Sequence, residues 1–293
     1  MPWLQIKFDT QPDEVDTLSD LLEEFGALSV SLEDGADQAL LEPAPGEQPL
    51  WQHTRVIGLF SDDTSAEDII AQLKTRIAPK PLPPHQSEIL QDQAWERAWM
   101  DDFKPICFGE RLWICPSWCE PPQENAVNIK LDPGLAFGTG THPTTALCLR
   151  WLDAHAPQDL DVIDFGCGSG ILAVAAAMLG ARQLWAIDHD PQAILATKEN
   201  AQNNGVEHLI IAGKANVTPK QAVDLILANI LAQPLIELAP TFAQLTKPGG
   251  RIVLSGILDQ QVDGIIATYQ HDFILDPPIL EEEWALISGS RKT

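Results

Sequence analysis

Apolar residues recur at two periods along this chain, and the change from one to the other divides it. Trp3, Ile6 and Phe8 lie in a strand-like run. Val15, Leu18, Leu21, Leu22 and Phe25 then recur at helical spacing, with Gly26 placed to end the helix. Residues 27–32 read as a second strand, and the acidic, Pro- and Gly-rich residues 33–49 as a loop. A third strand follows over 54–60. Asp62, Asp63 and Thr64 precede a second helix over 66–77, and 87–90 reads as a fourth strand. The order β-α-β-β-α-β predicts a small α+β, ferredoxin-like domain over residues 1–90. Four prolines between Pro79 and Pro84 make a stiff connection inside it. The polar helical run that follows carries Trp95 and Trp99 on one face. It predicts a linker helix over 91–104 that docks on a neighbour through the two rings.

From residue 105 to 293 strands alternate with helices, which predicts an α/β domain on a parallel sheet covered on both faces. The strands read as 161–165, 183–188, 208–212, 224–228 and 251–255, with a helix starting at Ile171. The last two apolar runs, near 273–275 and 284–288, lie too close together for a crossover helix, and predict an antiparallel hairpin at the sheet edge.

The first of those strands ends in chemistry. Val162-Ile163-Asp164-Phe165 runs into Gly166-Cys167-Gly168-Ser169-Gly170 and then directly into a helix. Glycine admits positive φ and close backbone approach, and a helix N-terminus offers unpaired N–H groups. The spacing is Gly-x-Gly-x-Gly, not the Gly-x-Gly-x-x-Gly that seats a pyrophosphate. That favours a cofactor without phosphate, S-adenosylmethionine (SAM), over NAD. The next strand ends in Asp188, about 20 residues on, where such folds bind ribose hydroxyls. Asp190 with Pro191 reads as a helix cap.

Two further segments point to the same edge. Leu131 to Thr145 is rich in glycine and threonine, longer than a connector needs, and opens a helix that Thr144 or Thr145 could cap. It reads as a wall over the methyl donor, with His142-Pro143 as turn residues. The apolar strand Asp224–Ala228 ends in Asn229, whose side-chain and backbone carbonyls are both acceptors for an amine.

Charge narrows the partner. The 293 residues carry a formal net charge of −24. Residues 1–100 hold 19 Asp/Glu against 6 Lys/Arg, a net of −13. Such a surface repels bare nucleic acid and anionic membrane and attracts a basic protein. Five cysteines without a Cys-x-x-Cys pair exclude zinc and disulfide frameworks and suit a reducing cytoplasm. Neither a signal peptide nor a membrane span is expected.

Asp164-Phe-Gly166-Cys-Gly168-Ser-Gly170 with Asp188 resembles the seven-stranded, Rossmann-like class I SAM-dependent methyltransferases. Leu131–Thr145, Ala228-Asn229-Ile230-Leu231 and the closing Gly249-Gly250 are more specific. They resemble the bacterial ribosomal protein L11 methyltransferases, over essentially the whole chain. A cytoplasmic, monomeric enzyme is expected. The resemblance implies that its N-terminal domain recognises the large-subunit stalk-base protein, and that its C-terminal domain methylates lysine side-chain amines and an N-terminal α-amine. It implies SAM contacts from Thr145, Gly166, Gly168, Asp188 and Asn229, with Asn229 positioning the amine and no assigned general base. Cys167 and Ser169 carry no expected role. The alternative is a small-molecule amine N-methyltransferase. A nucleic-acid methyltransferase is disfavoured by the charge, and because Ile-Leu follows Asn229 where base-amine methylators carry Pro-Pro-aromatic.

Overall fold

The structure, a computed structural model, describes residues 2–36, 38, 49–91, 103–123, 125–132 and 142–293. The linker helix expected around Trp95 and Trp99, and most of the glycine–threonine segment, lie outside the described residues. The chain divides into two compact units, Met1–Asp102 and Phe103–Thr293.

The first unit runs β1 (Trp3–Thr10), α1 (Pro12–Glu24), β2 (Ser29–Asp34), β3 (Thr54–Ser61), α2 (Ala66–Ile77) and β4 (His85–Leu90). Its antiparallel sheet has the order β2-β3-β1-β4. Period-two alternation puts Leu4, Ile6 and Phe8 on one face, in register with Phe60, Gly58 and Val56. Val15, Leu18, Leu22, Ile69 and Leu73 of the two helices close that face. Gly26, at φ +93°, ends α1. The Ala27 N–H reaches back to the Leu22 carbonyl at 2.9 Å, so residues 26–28 are spent on the turn and β2 starts later than its apolar run suggests. Ser65, not the acids before it, caps α2 by accepting from the Asp68 N–H.

The second unit opens with a small sheet that the apolar pattern does not predict: β5 (Ile106–Phe108), β6 (Leu112–Cys115) and β7 (Val127–Lys130). Its buried Leu112, Ile114 and Ile129 share a core cluster with α3 (Pro143–Ala154) and α4 (Ile171–Met178). The main sheet is built from β8 (Asp161–Phe165), β9 (Gln183–Ile187), β10 (Ile210–Gly213), β11 (Val223–Asn229), β12 (Thr246–Leu258), β13 (Phe273–Leu275), β14 (Ile279–Glu281) and β15 (Trp284–Arg291). Its order is β10-β9-β8-β11-β12-β15-β13, and β14 also pairs with β15, giving eight strands. The eighth arises because Pro277 and Pro278 break the return from β13, so the chain rejoins the same side of β15 as a separate short strand. Strands β8 to β12 pair in parallel, while β15 runs antiparallel to β12, β13 and β14.

One face of this sheet belongs to the cluster containing α3 and α4. The other is covered by α6 (Ala232–Leu245) and α7 (Val262–Tyr269). The helix α5 (Pro191–Asn203) joins β9 to β10. Alanines 173 and 175–177 of α4 are buried, and their small size lets that helix lie close to the strands. From β8 the chain moves outward to β9 and β10, then returns to place β11 on the other side of β8. Ligands of open parallel sheets sit at the carboxyl ends of the strands beside such a reversal.

Candidate active site at the carboxyl edge of the sheet

The turn leaving β8 is left-handed at every second residue: Gly166, Gly168 and Gly170 have φ of +76°, +53° and +76°. The N–H groups of Gly166 and Cys167 both point at the Ile187 carbonyl, at 2.7 and 3.1 Å, folding the turn onto the end of β9. A Cβ on Gly166 would lie 2.2 Å from Ile230 Cγ2, and one on Gly170 would lie 2.7 Å from Thr197 Cγ2. Two of the three glycines are therefore demanded by protein neighbours as well as by backbone sign. A Cβ on Gly256 would meet the Ile230 carbonyl at 2.5 Å, so Ile230 has one glycine of the turn and one of β12 against it.

Asp188 follows β9 with its carboxylate largely buried. Oδ2 accepts the Gly168 N–H and Oδ1 accepts the Asp190 N–H, each at 3.0 Å. A carboxylate has about four acceptor sites. The backbone uses two, and the exposed His189 ring lies 3.4 Å from Oδ1; a ribose diol displacing that ring from the carboxylate would find acceptors there, so the residues present fit an adenosyl ribose. Asp190 caps α5, its Oδ1 accepting the Gln192 N–H at 2.9 Å.

Asp164, at the end of β8, is buried and accepts the Ala173 N–H through Oδ2 at 2.9 Å. Burial pushes its pKa up to about 7, the Ala173 bond opposes this, and the nearby Asp188 charge adds to it. In the sequence this acid stands out only as part of the glycine motif. An acid ending an otherwise apolar strand was the available signal.

Thr145 and Asn229 meet across the sheet edge: Asn229 Nδ2 donates to Thr145 Oγ1 at 3.2 Å. The expectation that Thr144 or Thr145 caps α3 is corrected. His142 is the cap, its Nδ1 lying 3.4 Å from the Thr144 N–H and 2.7 Å from the Thr144 hydroxyl. That frees Thr145 to face Asn229. The His142 ring stands edge-on to Trp284 at 4.9 Å. Burial lowers its pKa, while Glu283 and Glu282 on the turn before β15 pull it up. Ser255 was not foreseen. Buried in β12, it donates between the carbonyls of Thr144 and Ala285, at 3.2 and 3.3 Å. A lone hydroxyl inside Ile252-Val253-Leu254-Ser255 was its only sequence signal. No cluster of metal-ligating side chains occurs among the described residues.

The site thus joins a glycine turn, a diol-ready carboxylate and an amide at one edge. Across residues 2–292 the sequence matches the family model described as ribosomal protein L11 methyltransferase (PrmA). The chain belongs to that family. Ribosomal protein L11 methyltransferases from Nitrosococcus oceani and Shewanella sediminis are 50% and 52% identical to it, over all of both chains in each case. The crystal structure of a ribosomal protein L11 methylase from Lactobacillus delbrueckii subsp. bulgaricus superposes with a TM-score of 0.60 at 33% identity, covering 65% of this chain and all of that one. As an L11 methyltransferase family member it has an α/β fold with a mixed sheet, and among its described residues no helix is long and apolar enough to cross a membrane.

Proposed function

We propose that this chain transfers methyl groups from SAM to ribosomal protein L11, at lysine side-chain amines and the N-terminal α-amine. The observation that carries the reading is the carboxyl edge of the parallel strands, where two bonded pairs stand, Gly168 with Asp188 and Thr145 with Asn229. Bound SAM supplies an electrophilic methyl group to a nucleophilic amine. Asp188 accepts from the ribose hydroxyls, beside the backbone of Gly166 and Gly168. Thr145 receives the Asn229 NH₂ group, which leaves the Asn229 side-chain carbonyl, with its backbone carbonyl, to accept hydrogens from the incoming amine. A lysine amine has a reference pKa near 10.4 and must shed a proton before it attacks. A desolvated, apolar surround lowers that value. With no assigned base, orientation carries the rate, and alignment of two reactants supplies about 7–11 kcal/mol.

The first unit, read as a ferredoxin-like domain over residues 1–90, serves as the recognition module for the basic stalk-base protein. Residues 91–104 link it to the catalytic domain, residues 105–293. Its net acidity and the whole chain's charge of −24 support a basic protein partner and a monomeric enzyme that binds neither DNA nor membrane, and the five unpaired cysteines support a cytoplasmic one. Incubation of purified L11 with the enzyme and SAM, followed by intact-mass measurement, tests the proposal. Mass increments of whole methyl groups on L11 are expected. Unmodified L11, with label from tritiated SAM entering only small amines of a lysate, would refute it.

A further inference from the structure

Helix α5 carries a buried hydroxyl where its neighbours one turn away are small and apolar. Thr197 is fully buried between Ala193 and Ala201. A buried hydroxyl is costly unless bonded, and this one donates to the Gly168 carbonyl at 3.0 Å and lies 3.3 Å from Cys167 Sγ. Asn200, three residues on, donates through Nδ2 to the Ser169 carbonyl at 2.8 Å. Asn204, just past the helix, exchanges two bonds with the Lys130 backbone: its Nδ2 donates to the carbonyl and its Oδ1 accepts the N–H, both at 2.8 Å. Its Nδ2 also reaches the Asn200 carbonyl at 2.8 Å. The spacing i, i+3, i+7 sets the three side chains in one row.

Both peptide groups of Gly168 are therefore held from outside the turn, the N–H by Asp188 and the carbonyl by Thr197. With Ser169 also held, two consecutive carbonyls of the turn are drawn onto α5. The last member of the row holds the backbone of Lys130, the final residue of β7, so α5 is tied to the small sheet as well as to the turn. We infer that the row Thr197, Asn200 and Asn204 is a positioning element for the methyl donor: Thr197 and Asn200 fix the backbone of the glycine turn before the donor arrives, and Asn204 anchors the helix that carries them. The inference rests on the reading that the turn and Asp188 hold SAM.

Preorganisation lowers the cost of binding without touching the ligand. Thr197→Val keeps the shape and removes the hydroxyl, and Asn200→Ala removes the second tie. SAM affinity by calorimetry, steady-state kinetics with L11 and thermal melting are measured on the full-length enzyme. Each variant is expected to raise the SAM Kd and the KM for SAM roughly three- to tenfold, the worth of one net hydrogen bond. The kcat at saturating SAM should stay within about twofold, since lost ground-state binding alone moves KM. Thr197→Ser should restore SAM affinity. Lower melting temperatures with unchanged KM for SAM would show a merely structural role and overturn the inference. If Thr197→Val does not fold, Asn200→Ala, at a partly exposed position, carries the test alone. Asp188→Ala separates the two levels. Unchanged SAM affinity in that variant would overturn the site reading and the positioning row with it. Weakened binding there, with wild-type affinity in both row variants, would overturn the row alone.

Discussion

Replacing Gly166 by alanine perturbs the site in two separable ways. The residue sits at φ +76°, where an L-residue pays roughly 1–2 kcal/mol. Its new Cβ also falls 2.2 Å from Ile230 Cγ2, so the Ile230 side chain must shift on a backbone already packed close to Gly256. Overpacking of this kind costs about 1–3 kcal/mol. The sum, about 2–5 kcal/mol, lowers the melting temperature of a unit this size by roughly 5–15 °C. The same displacement moves the turn beside Asp188 and should weaken SAM binding. Shortening Ile230 to alanine removes Cγ2 and leaves its Cβ 3.7 Å from the added methyl, an ordinary contact. A double-mutant cycle of Gly166→Ala with Ile230→Ala, read by chemical denaturation, should therefore show a coupling of about 1–3 kcal/mol, because the second change relieves the first. Additive losses would refute the clash, and a Gly166→Ala enzyme with wild-type stability would refute both parts.

Asp164 makes stability depend on pH. Its folded pKa, about 7, lies above the unfolded value of 3.8, so between roughly pH 4 and 7 the native state holds a proton that the unfolded chain has released. Stability from this group falls as pH rises through that window, by an amount on the order of a few kcal/mol. Asp164→Asn should flatten that fall, measured as the difference in urea unfolding between pH 4.5 and 7.5, and an unchanged slope would contradict it. Asn229→Ala should cut kcat/KM for L11 by roughly 10–100-fold, the value of a lost bond to a charged or reacting group, and should cost SAM affinity less. Equal losses in both would refute amine positioning. Affinity for L11 should drop about fivefold or more between 50 and 500 mM salt as the acidic surface is screened, and salt-independent binding would contradict charge steering.

What the sequence revealed followed from pattern strength. Val15, Leu18, Leu21 and Leu22 recur too regularly to be anything but one helix face, and all four are buried in α1. The glycine turn, Asp188 and Asn229 were legible because each closes an apolar strand, and parallel strands in one domain deliver their ends to one edge. The small sheet of β5, β6 and β7 was not legible. Its strands are three or four residues long, and Pro116, Pro121 and Pro122 interrupt the stretch between two of them. The cap of α3 was misread because Thr144 and Thr145 have the favoured cap chemistry, while His142 supplies a ring nitrogen from just before Pro143. Ser255 and Thr197 act through carbonyls brought from distant segments. No local pattern announces a hydroxyl whose partner lies 111 or 29 residues away.

The reversal of strand order between β8 and β11 has a consequence for the lifetime of the enzyme. The crevice there exists only once both halves of the main sheet have met, so a donor seated there, as proposed, would bind the finished fold and not the open chain. Saturation at a hundred times Kd adds about 2.7 kcal/mol against unfolding. Proteases that catch opened chains would therefore clear this enzyme faster in a starved cell, and methyl-donor supply would govern how much of it survives as well as how fast it works.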